Sequence, residues 1–159
     1  MQDSFAFSLK NYSMFRPSYD PDLFFHWHKV ETRFRDLDPL NHANNAVFNT
    51  YFEEARINFT QNIPDLMDSF KQGFAFVLVK CTIEYLKPIR YPATLLIGSS
   101  IKEIGNTSVD AIQAIFDSET KQLHGIAQTK GVWYDSKKQR PTRVPDVENL
   151  DKMILKFED

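Results

Sequence analysis

Residues 33–56 read RFRDLDPLNHANNAVFNTYFEEAR, and this stretch decides the fold. A strand pattern stops in it at an Asp-Xaa-Asp-Pro turn, because Pro39 lacks the N–H that a strand ladder needs. A long helix is predicted to follow, from about residue 44 to about residue 62. Six polar side chains crowd the turn between the two elements: Asp36, Asp38, Asn41, His42, Asn44 and Asn45.

This junction has the groups that acyl transfer needs. The first backbone N–H groups of a helix have no acceptor within the helix, and they attract negative charge. Asp38 precedes these donors closely, and His42 lies between Asp38 and the helix. The sequence therefore predicts a carboxylate, an imidazole and unpaired N–H donors within one turn of chain.

The residues before the junction alternate as in a half-buried strand. His26, His28, Val30, Thr32 and Phe34 fall on one side, and the residues between them fall on the other. The two histidines share a face that a metal could use. Since no third ligand of a suitable type is evident nearby, we predict surface or interface histidines rather than a metal site.

The predicted helix carries an apolar stripe. Phe48, Phe52, Ala55 and Phe59 recur at spacings of three and four, and Tyr51 lies beside them. Such a stripe needs an apolar cover. The simplest interpretation of most of it is therefore protein core. A short amphipathic connection, residues 66–72, follows the helix.

The second half of the chain is typical of strands. Residues 74–86, 94–104, 107–117 and 121–134 are rich in Val, Ile and aromatics, and turn residues separate them. Residues 140–145 are predicted to be extended, and residues 147–157 could form a terminal helix. One strand, a long helix and four more strands predict an α+β fold, with a five-stranded antiparallel sheet wrapped around the central helix. Pairing with a second copy would cover the open sheet edges, so we predict a homodimer.

Residues 1–25 show neither the strand pattern nor the helix pattern of the rest of the chain and are rich in aromatic residues. The segment is interrupted by two prolines and contains seven aromatics: Phe5, Phe7, Tyr12, Phe15, Tyr19, Phe24 and Phe25. It could be an arm that packs on the main body or on a neighbouring subunit, or a partly disordered tail. We predict an aromatic arm over residues 1–25 and one domain over residues 26–159.

Composition bounds the classes of function. The chain has 159 residues, of which 42% are hydrophobic, so it can bury a core without a metal or disulfides. A net charge of −2 with scattered basic residues argues against nucleic acid as a partner. No apolar run reaches the roughly 18 residues of a membrane span. With no secretory signal pattern either, we expect a cytoplasmic protein.

Cys81 is the only cysteine, which excludes an intrachain disulfide and fits a reducing compartment. It lies within the apolar run FVLVKCTIEY (residues 76–85). Free cysteine in such a run usually behaves as a small buried hydrophobe, so we predict a structural thiol rather than a nucleophile.

The junction resembles that of a known enzyme family. The similarity lies in DLDPLNHANN (residues 36–45), followed by Phe48, Tyr51 and FEEAR (residues 52–56), with IEYLKP (residues 83–88) in a later strand. These motifs are similar to those of hot-dog-fold acyl thioesterases of the 4-hydroxybenzoyl-CoA thioesterase type and of acyl-carrier-protein (ACP) thioesterases. The resemblance covers about residues 28–135. It implies a single hot-dog domain that hydrolyses acyl-CoA or acyl-ACP thioesters without metal or redox cofactor.

The resemblance also implies roles for the junction residues. Asp38 matches the catalytic carboxylate, which attacks the thioester carbon or activates a water. Asn45 matches the backbone N–H donor that stabilises the oxyanion, and His42 matches a polarising or proton-transferring group. The aspartates could instead shape an Asx turn, and Asn44 or Asn45 could be a helix cap. We assign Asp36 to the turn and Asp38 to catalysis.

The acyl chain needs an apolar slot, and the carrier that holds it needs a polar entrance to that slot. We predict substrate contacts from Asn44, Phe48, Phe52, Tyr85 and Lys87. Further candidates are the apolar walls and basic or acidic groups near them: Phe59, Phe74, Phe76, Lys80, Glu84 and Arg90. The slot is expected at the interface of a homodimer, with a dimer of dimers as a further assembly.

Two other functions remain open from the sequence. An enoyl-thioester hydratase of the same fold would carry Asp-Xaa-Asn-Pro-Xaa-His, where this chain has Asp38 in place of the asparagine and His42 one residue late. A non-catalytic protein of the same fold would bind an acyl thioester without hydrolysing it.

Overall fold

The computed structural model describes residues 15–155. Within that range it has six strands and three α-helices. In chain order they are β1 His26–Glu31, α1 Asn45–Gln61, α2 Pro64–Lys71, β2 Phe74–Tyr85, β3 Thr94–Ile104, β4 Ser108–Asp117, β5 Leu123–Asp135, β6 Arg140–Pro141 and α3 Leu150–Met153. A 3-10 turn, Phe34–Asp36, lies between β1 and α1.

The strands form one antiparallel sheet in the order β1-β3-β4-β5-β2, with the short β6 beside β5. This confirms the predicted α+β fold with its five main strands and long central helix. The predicted bounds of β2 to β5 differ from the observed ones by at most two residues. Residues 140–145, predicted to be extended, contribute β6, which adds a sixth strand.

Two predicted elements are shorter than expected. The first strand ends at Glu31 because the chain turns at Phe34, which is 74% exposed instead of facing the helix. The predicted terminal helix is reduced to α3, because the backbone then becomes extended and Ile154 bridges in parallel to Ile101 of β3. Residues 156 and 157 of that prediction lie outside the described residues.

The inner face of the sheet packs against α1. Its apolar stripe is buried at 0–7% exposure: Phe48, Tyr51, Phe52, Ala55 and Phe59. Leu95, Ile97, Ile115 and Ala127 cover the first part of this stripe. Each large side chain buried in this way contributes about 1.5–3 kcal/mol to folding. In the described part of the chain, none of the helices has the length and apolarity needed to cross a lipid bilayer.

Residues 15–25 pack on the outer face of the same sheet. Phe24 is 3% exposed, and its ring covers Gly98 so closely that an added Cβ there would clash with the ring. Tyr19 and Trp27 contact Phe116 of β4 at ring-centroid distances of 5.6 and 5.9 Å. The described part of the predicted arm therefore covers the body of its own chain. Residues 1–14 lie outside the described residues.

Candidate active site

The turn before α1 is built around the carboxylate of Asp36, which is 3% exposed. Its Oδ2 accepts the backbone N–H of Arg33 at 3.0 Å and the hydroxyl of Tyr51 at 2.7 Å. The Arg33 guanidinium donates to Oδ1 at 2.9 Å. Burial alone would raise the pKa of Asp36, but these hydrogen bonds and the charge of Arg33 outweigh it and hold the pKa below its usual value. Asp36 is therefore an ionised anchor of the turn.

The loop that follows is closed by its own backbone. The N–H of Asp38 donates to the carbonyl of His42 at 2.8 Å, and the N–H of Asn41 donates to the carbonyl of Asp38 at 3.0 Å. Asn41 takes a left-handed conformation with φ of 59°, which asparagine tolerates better than most residues. The N–H of Ala43 then donates to the carbonyl of Ile89 at 2.8 Å and ties the loop to the β2–β3 connection.

The half-buried carboxylate of Asp38 is held by one of its two oxygens. Oδ1 accepts the backbone N–H groups of Leu40 at 2.8 Å and of His42 at 3.3 Å. No residue between 15 and 155 donates to Oδ2. One oxygen thus fixes the side chain in an Asx turn, and the other is free for chemistry. The turn-forming and catalytic roles considered for Asp38 are therefore compatible.

The start of α1 presents one unpaired backbone donor. Asn44 caps the helix, because its side-chain oxygen accepts the N–H of Ala46 at 2.9 Å. The N–H of Val47 is also occupied, by the carbonyl of Asn44 at 2.8 Å. The N–H of Asn45 has no acceptor among the described residues. This donor lies at the positive end of the α1 dipole.

A cavity of about 410 Å³ brings most of the predicted site residues together. Its lining comprises Asp38, Leu40, His42, Ala43, Asn44, Asn45, Phe48, Tyr85, Leu86, Lys87 and Pro88. The ring of Tyr85 meets Phe48 edge to face at 5.1 Å and forms an aromatic wall. Lys87 is exposed and lies two residues after the end of β2. The cavity thus combines an aromatic wall, a carboxylate and a cationic rim.

One predicted substrate contact lies outside the cavity. Phe52 is 0% exposed and does not line the cavity. It shares the helical stripe with Phe48, but the cavity reaches only the first turn of α1, so Phe52 packs within the core. Phe59 and Phe76 also lie away from this cavity and line a second one.

Three charged candidates and the one cysteine lie outside the cavity. Glu84 pairs with Arg16 at 3.5 Å, and neither Lys80 nor Arg90 is among the lining residues. Cys81 is half-buried, and burial raises the pKa of its thiol, so at neutral pH it is a poor nucleophile.

The histidines of β1 are bound to α1. His26 Nε2 lies 2.7 Å from Asn58 Oδ1, and His28 Nε2 lies 3.1 Å from Glu54 Oε1. Across residues 15–155, no group of three His, Cys, Asp or Glu side chains is close enough to hold a metal ion.

Sequence reasoning missed several residues that line this cavity or support its turn. Tyr51 was placed in the apolar stripe and in the family motif without a role for its hydroxyl, which donates a hydrogen bond to Asp36. Leu40, Ala43, Leu86 and Pro88 were not assigned to the site although they line the cavity. The Lys-Pro break after β2 was the one sequence signal for the last two, because it marks where that strand leaves the sheet.

Comparison with known proteins shows that this chain is similar to thioesterases. A family model described as the thioesterase-like superfamily matches residues 32–153. The acyl-acyl carrier protein thioesterase ATL2 of Arabidopsis thaliana is 30% identical over 122 residues, which cover 75% of this chain and 64% of that protein. The chain therefore spans less than two thirds of that relative. The long-chain acyl-CoA thioesterase FadM of Escherichia coli is 27% identical over 79% of this chain and 97% of FadM.

A solved structure has the same fold. The probable thioesterase YbaW of Escherichia coli superimposes with a TM-score of 0.72 at 24% identity, covering 82% of this chain and 98% of that one. The hot-dog arrangement expected from the junction motif is therefore confirmed.

We expect Asp36→Asn to lower the free energy of unfolding by about 2 kcal/mol at pH 7, because charge-assisted hydrogen bonds are lost inside the turn. The ionised Asp36 stabilises the fold above its unfolded pKa of about 4, and this contribution disappears as pH falls through its lower folded pKa. The variant should therefore lose less stability than wild type between pH 7 and pH 3. Urea unfolding at several pH values measures both effects. Asp68→Asn, at an exposed surface position, is the control, and parallel pH profiles for Asp36→Asn and wild type would contradict the role of Asp36.

Proposed function

The chain belongs to the thioesterase-like superfamily, and on this basis we propose that it hydrolyses acyl thioesters to a free acid and a thiol. The observation that carries the proposal is the shared cavity, where the carboxylate of Asp38 and the unpaired N–H of Asn45 line the same space. The relatives act, by their names, on acyl-ACP and on acyl-CoA. We propose the same two carriers for this chain.

The free oxygen of Asp38 begins the proposed reaction. As a general base, it takes a proton from water while the water oxygen bonds to the thioester carbon. As a nucleophile, it bonds to that carbon itself and forms an anhydride that water then hydrolyses. In both cases the C=O electrons move onto oxygen, and the bond to sulfur breaks when the carbonyl re-forms. The leaving sulfur departs as a thiolate, which His42 can protonate.

The N–H of Asn45 stabilises the oxyanion in this proposal. Its support is that the neighbouring donors of Ala46 and Val47 are already occupied, so a developing negative charge finds one free amide at the helix end. Phe48 and Tyr85 then contact the acyl group, and Asn44 lies beside the reacting carbonyl. Lys87 contacts a phosphate of the carrier arm.

We propose a homodimer formed through β2, with a dimer of dimers as a further assembly. β2 is an edge strand, and within residues 15–155 nothing pairs with its outer side. Val77, Leu78 and Val79 in this strand are 42%, 38% and 57% exposed. Pairing would cover them. It would also bring a second copy close to Tyr85, at the end of the same strand and on the wall of the cavity.

Three further assignments belong to the same proposal. Residues 26–159 form the catalytic domain and residues 1–25 its aromatic arm. The chain works in the cytoplasm, which the free thiol of Cys81 supports because reducing compartments preserve thiols. It needs no metal or redox cofactor, since a carboxylate and an amide donor suffice for the steps above.

Asp38→Asn should reduce thiol release from acyl-CoA and acyl-ACP substrates at least about a hundredfold, because the amide cannot act as base or nucleophile. The fold should persist, since the asparagine Oδ1 can still accept from Leu40 and His42. Release of free thiol over a panel of chain lengths measures the effect, with Asp68→Asn as the matched control. Full activity in the Asp38 variant would reject the site. If the protein adds water to a crotonyl thioester and leaves the thioester bond intact, it is an enoyl-thioester hydratase. If it binds acyl thioesters tightly without turnover, it is a non-catalytic binding protein.

Asn45→Pro removes the proposed oxyanion donor without breaking the helix. Residue 45 is the first residue of α1, where proline is well tolerated, and Asn44 has ψ of 140°, which suits a residue before proline. We expect kcat to fall about a hundredfold or more, with the free energy of unfolding within about 1 kcal/mol of wild type. Asn45→Ala keeps the N–H and separates the backbone effect from that of the side chain. If the two variants lose equal activity, the backbone donor is not the important group.

Val79→Lys should shift the proposed dimer toward monomer, because it places a charge on the pairing edge of β2. Light scattering after size exclusion, over a range of protein concentrations, reports the change in mass. Ser136→Lys adds the same charge on the exposed turn after β5 and should leave the mass unaltered. An unchanged mass for both variants would mean that β2 is not the interface.

A further inference from the structure

One wall of the cavity around Asp38 is held in place by the start of β5. Leu86, Lys87 and Pro88 form this wall and follow the end of β2 directly. His124 is the second residue of β5. Its carbonyl accepts the N–H of Leu86 at 2.9 Å and the N–H of Lys87 at 3.1 Å. The backbone of one residue therefore binds two consecutive residues of the cavity wall.

The side chain of His124 adds a third hydrogen bond to the same wall. Its Nδ1 lies 3.2 Å from the carbonyl oxygen of Lys87. Because a carbonyl oxygen only accepts hydrogen bonds, Nδ1 carries the proton and donates it to this oxygen. His124 is 9% exposed, so its ring lies largely out of water, where such a bond is stronger. One histidine therefore holds Lys87 at both its N–H and its carbonyl.

Gly125, the next residue of β5, supports the aromatic side of the cavity. It pairs with Tyr85 across the two strands. A Cβ on Gly125 would lie 3.1 Å from the ring of Phe48, which lines the cavity from the helix. Neither His124 nor Gly125 is among the lining residues. The two residues therefore support the cavity walls from outside the space that a substrate enters.

Lys87 needs this support if it is to bind a phosphate. Among residues 15–155, no carboxylate lies within ion-pair distance of Lys87, so its charge is available to a ligand. Lys87 is exposed, and an exposed ion pair contributes little because a long side chain loses conformational freedom when it binds. Fixing the backbone that carries the side chain removes part of this entropy cost before the ligand arrives.

We propose that His124 is a positioning residue: its ring hydrogen bond to the Lys87 carbonyl holds the Lys87 ammonium where it contacts a phosphate of the carrier arm. The inference rests on the proposed function, in which Lys87 makes that contact. His124 touches no reacting atom, and the steps at Asp38 and Asn45 do not pass through it. Its effect therefore falls on the binding of phosphate-bearing carriers and not on the chemical step.

Two substrates separate this positioning role from a general structural one. The first is the acyl-CoA or acyl-ACP that the wild type hydrolyses fastest, and the second is the N-acetylcysteamine thioester of the same acid, which has no phosphate. His124→Leu removes the ring donor and keeps a side chain suited to a buried position. We expect its KM for the first substrate to rise about fivefold, as for the loss of one hydrogen bond, with kcat unchanged. Its kcat/KM for the second substrate should equal that of wild type.

A double-mutant cycle tests whether the effect of His124 passes through Lys87. Lys87→Gln should raise the KM for the phosphate-bearing substrate about tenfold, because a charge-assisted hydrogen bond is lost. Adding His124→Leu to Lys87→Gln should raise this KM no further, since the ring then positions a side chain that no longer binds the phosphate.

A conservative variant and two controls complete the design. His124→Asn should restore the wild-type KM, because the asparagine Nδ2 can donate to the Lys87 carbonyl in place of the histidine Nδ1. Lys29→Gln removes a charge at an exposed position of β1, and His26→Leu removes a histidine that bonds to Asn58. Both controls should keep the wild-type KM.

Three results would overturn the inference. The first is an unchanged KM for the phosphate-bearing substrate in His124→Leu. The second is an equal loss of activity with the phosphate-free thioester, which would make His124 a structural residue only. The third is a double variant of His124 and Lys87 whose losses simply add. In each case the wild type still hydrolyses its substrate, so the proposed function stands.

Calorimetric titration with CoA distinguishes a failure of the proposed hydrolysis, because it measures binding without turnover. In a protein that hydrolyses no thioester, a Kd for CoA that rises in His124→Leu and in Lys87→Gln, and no further in the double variant, supports the inference and rejects only the hydrolysis. A wild type that neither binds CoA nor hydrolyses any thioester contradicts both.

Discussion

The buried carboxylate of Asp36 is the interaction on which the candidate site depends. It joins the end of the first strand to the middle of α1 through Arg33 and Tyr51, and its backbone carbonyl accepts the N–H of Asn44 at 2.9 Å. Each of these contacts restricts the path of the chain between the two elements. Because Asp38 lies two residues further on, its position relative to the helix end follows from the anchoring of Asp36. Asp36 therefore has a structural role, whereas Asp38 faces the cavity.

Local sequence patterns predicted the fold well because each element carries its own signal. Alternation marks the strands, spacings of three and four mark α1, and Pro39 separates the two types of pattern. The patterns failed where a distant contact decides the outcome. The alternation extended to Arg35, but the hydrogen bonds that Asp36 makes with Arg33 and Tyr51 turn the chain before that residue. The end of α3 is likewise determined by a bridge to β3 that no local pattern reveals.

The candidate site was predictable only in part, for a related reason. Asp38, His42, Asn44 and Asn45 lie close in sequence, so a turn brings them together regardless of the rest of the fold. Helical periodicity shows which side chains of α1 face the sheet, but it does not show where a cavity ends, so it did not separate Phe52, which lies outside the cavity, from Phe48, which lines it.

The exposed apolar edge of β2 also affects how the chain reaches its folded state. Among residues 15–155, β2 pairs only with β5, and even its nearest pair, Tyr85 with Gly125, encloses two further strands. Such long-range pairing forms slowly. Until it forms, the Val-Leu-Val run is open on both sides and can add to the same run in another chain. During refolding, closure of this long loop therefore competes with aggregation. Aggregation depends on protein concentration and loop closure does not, so dilution favours the folded state.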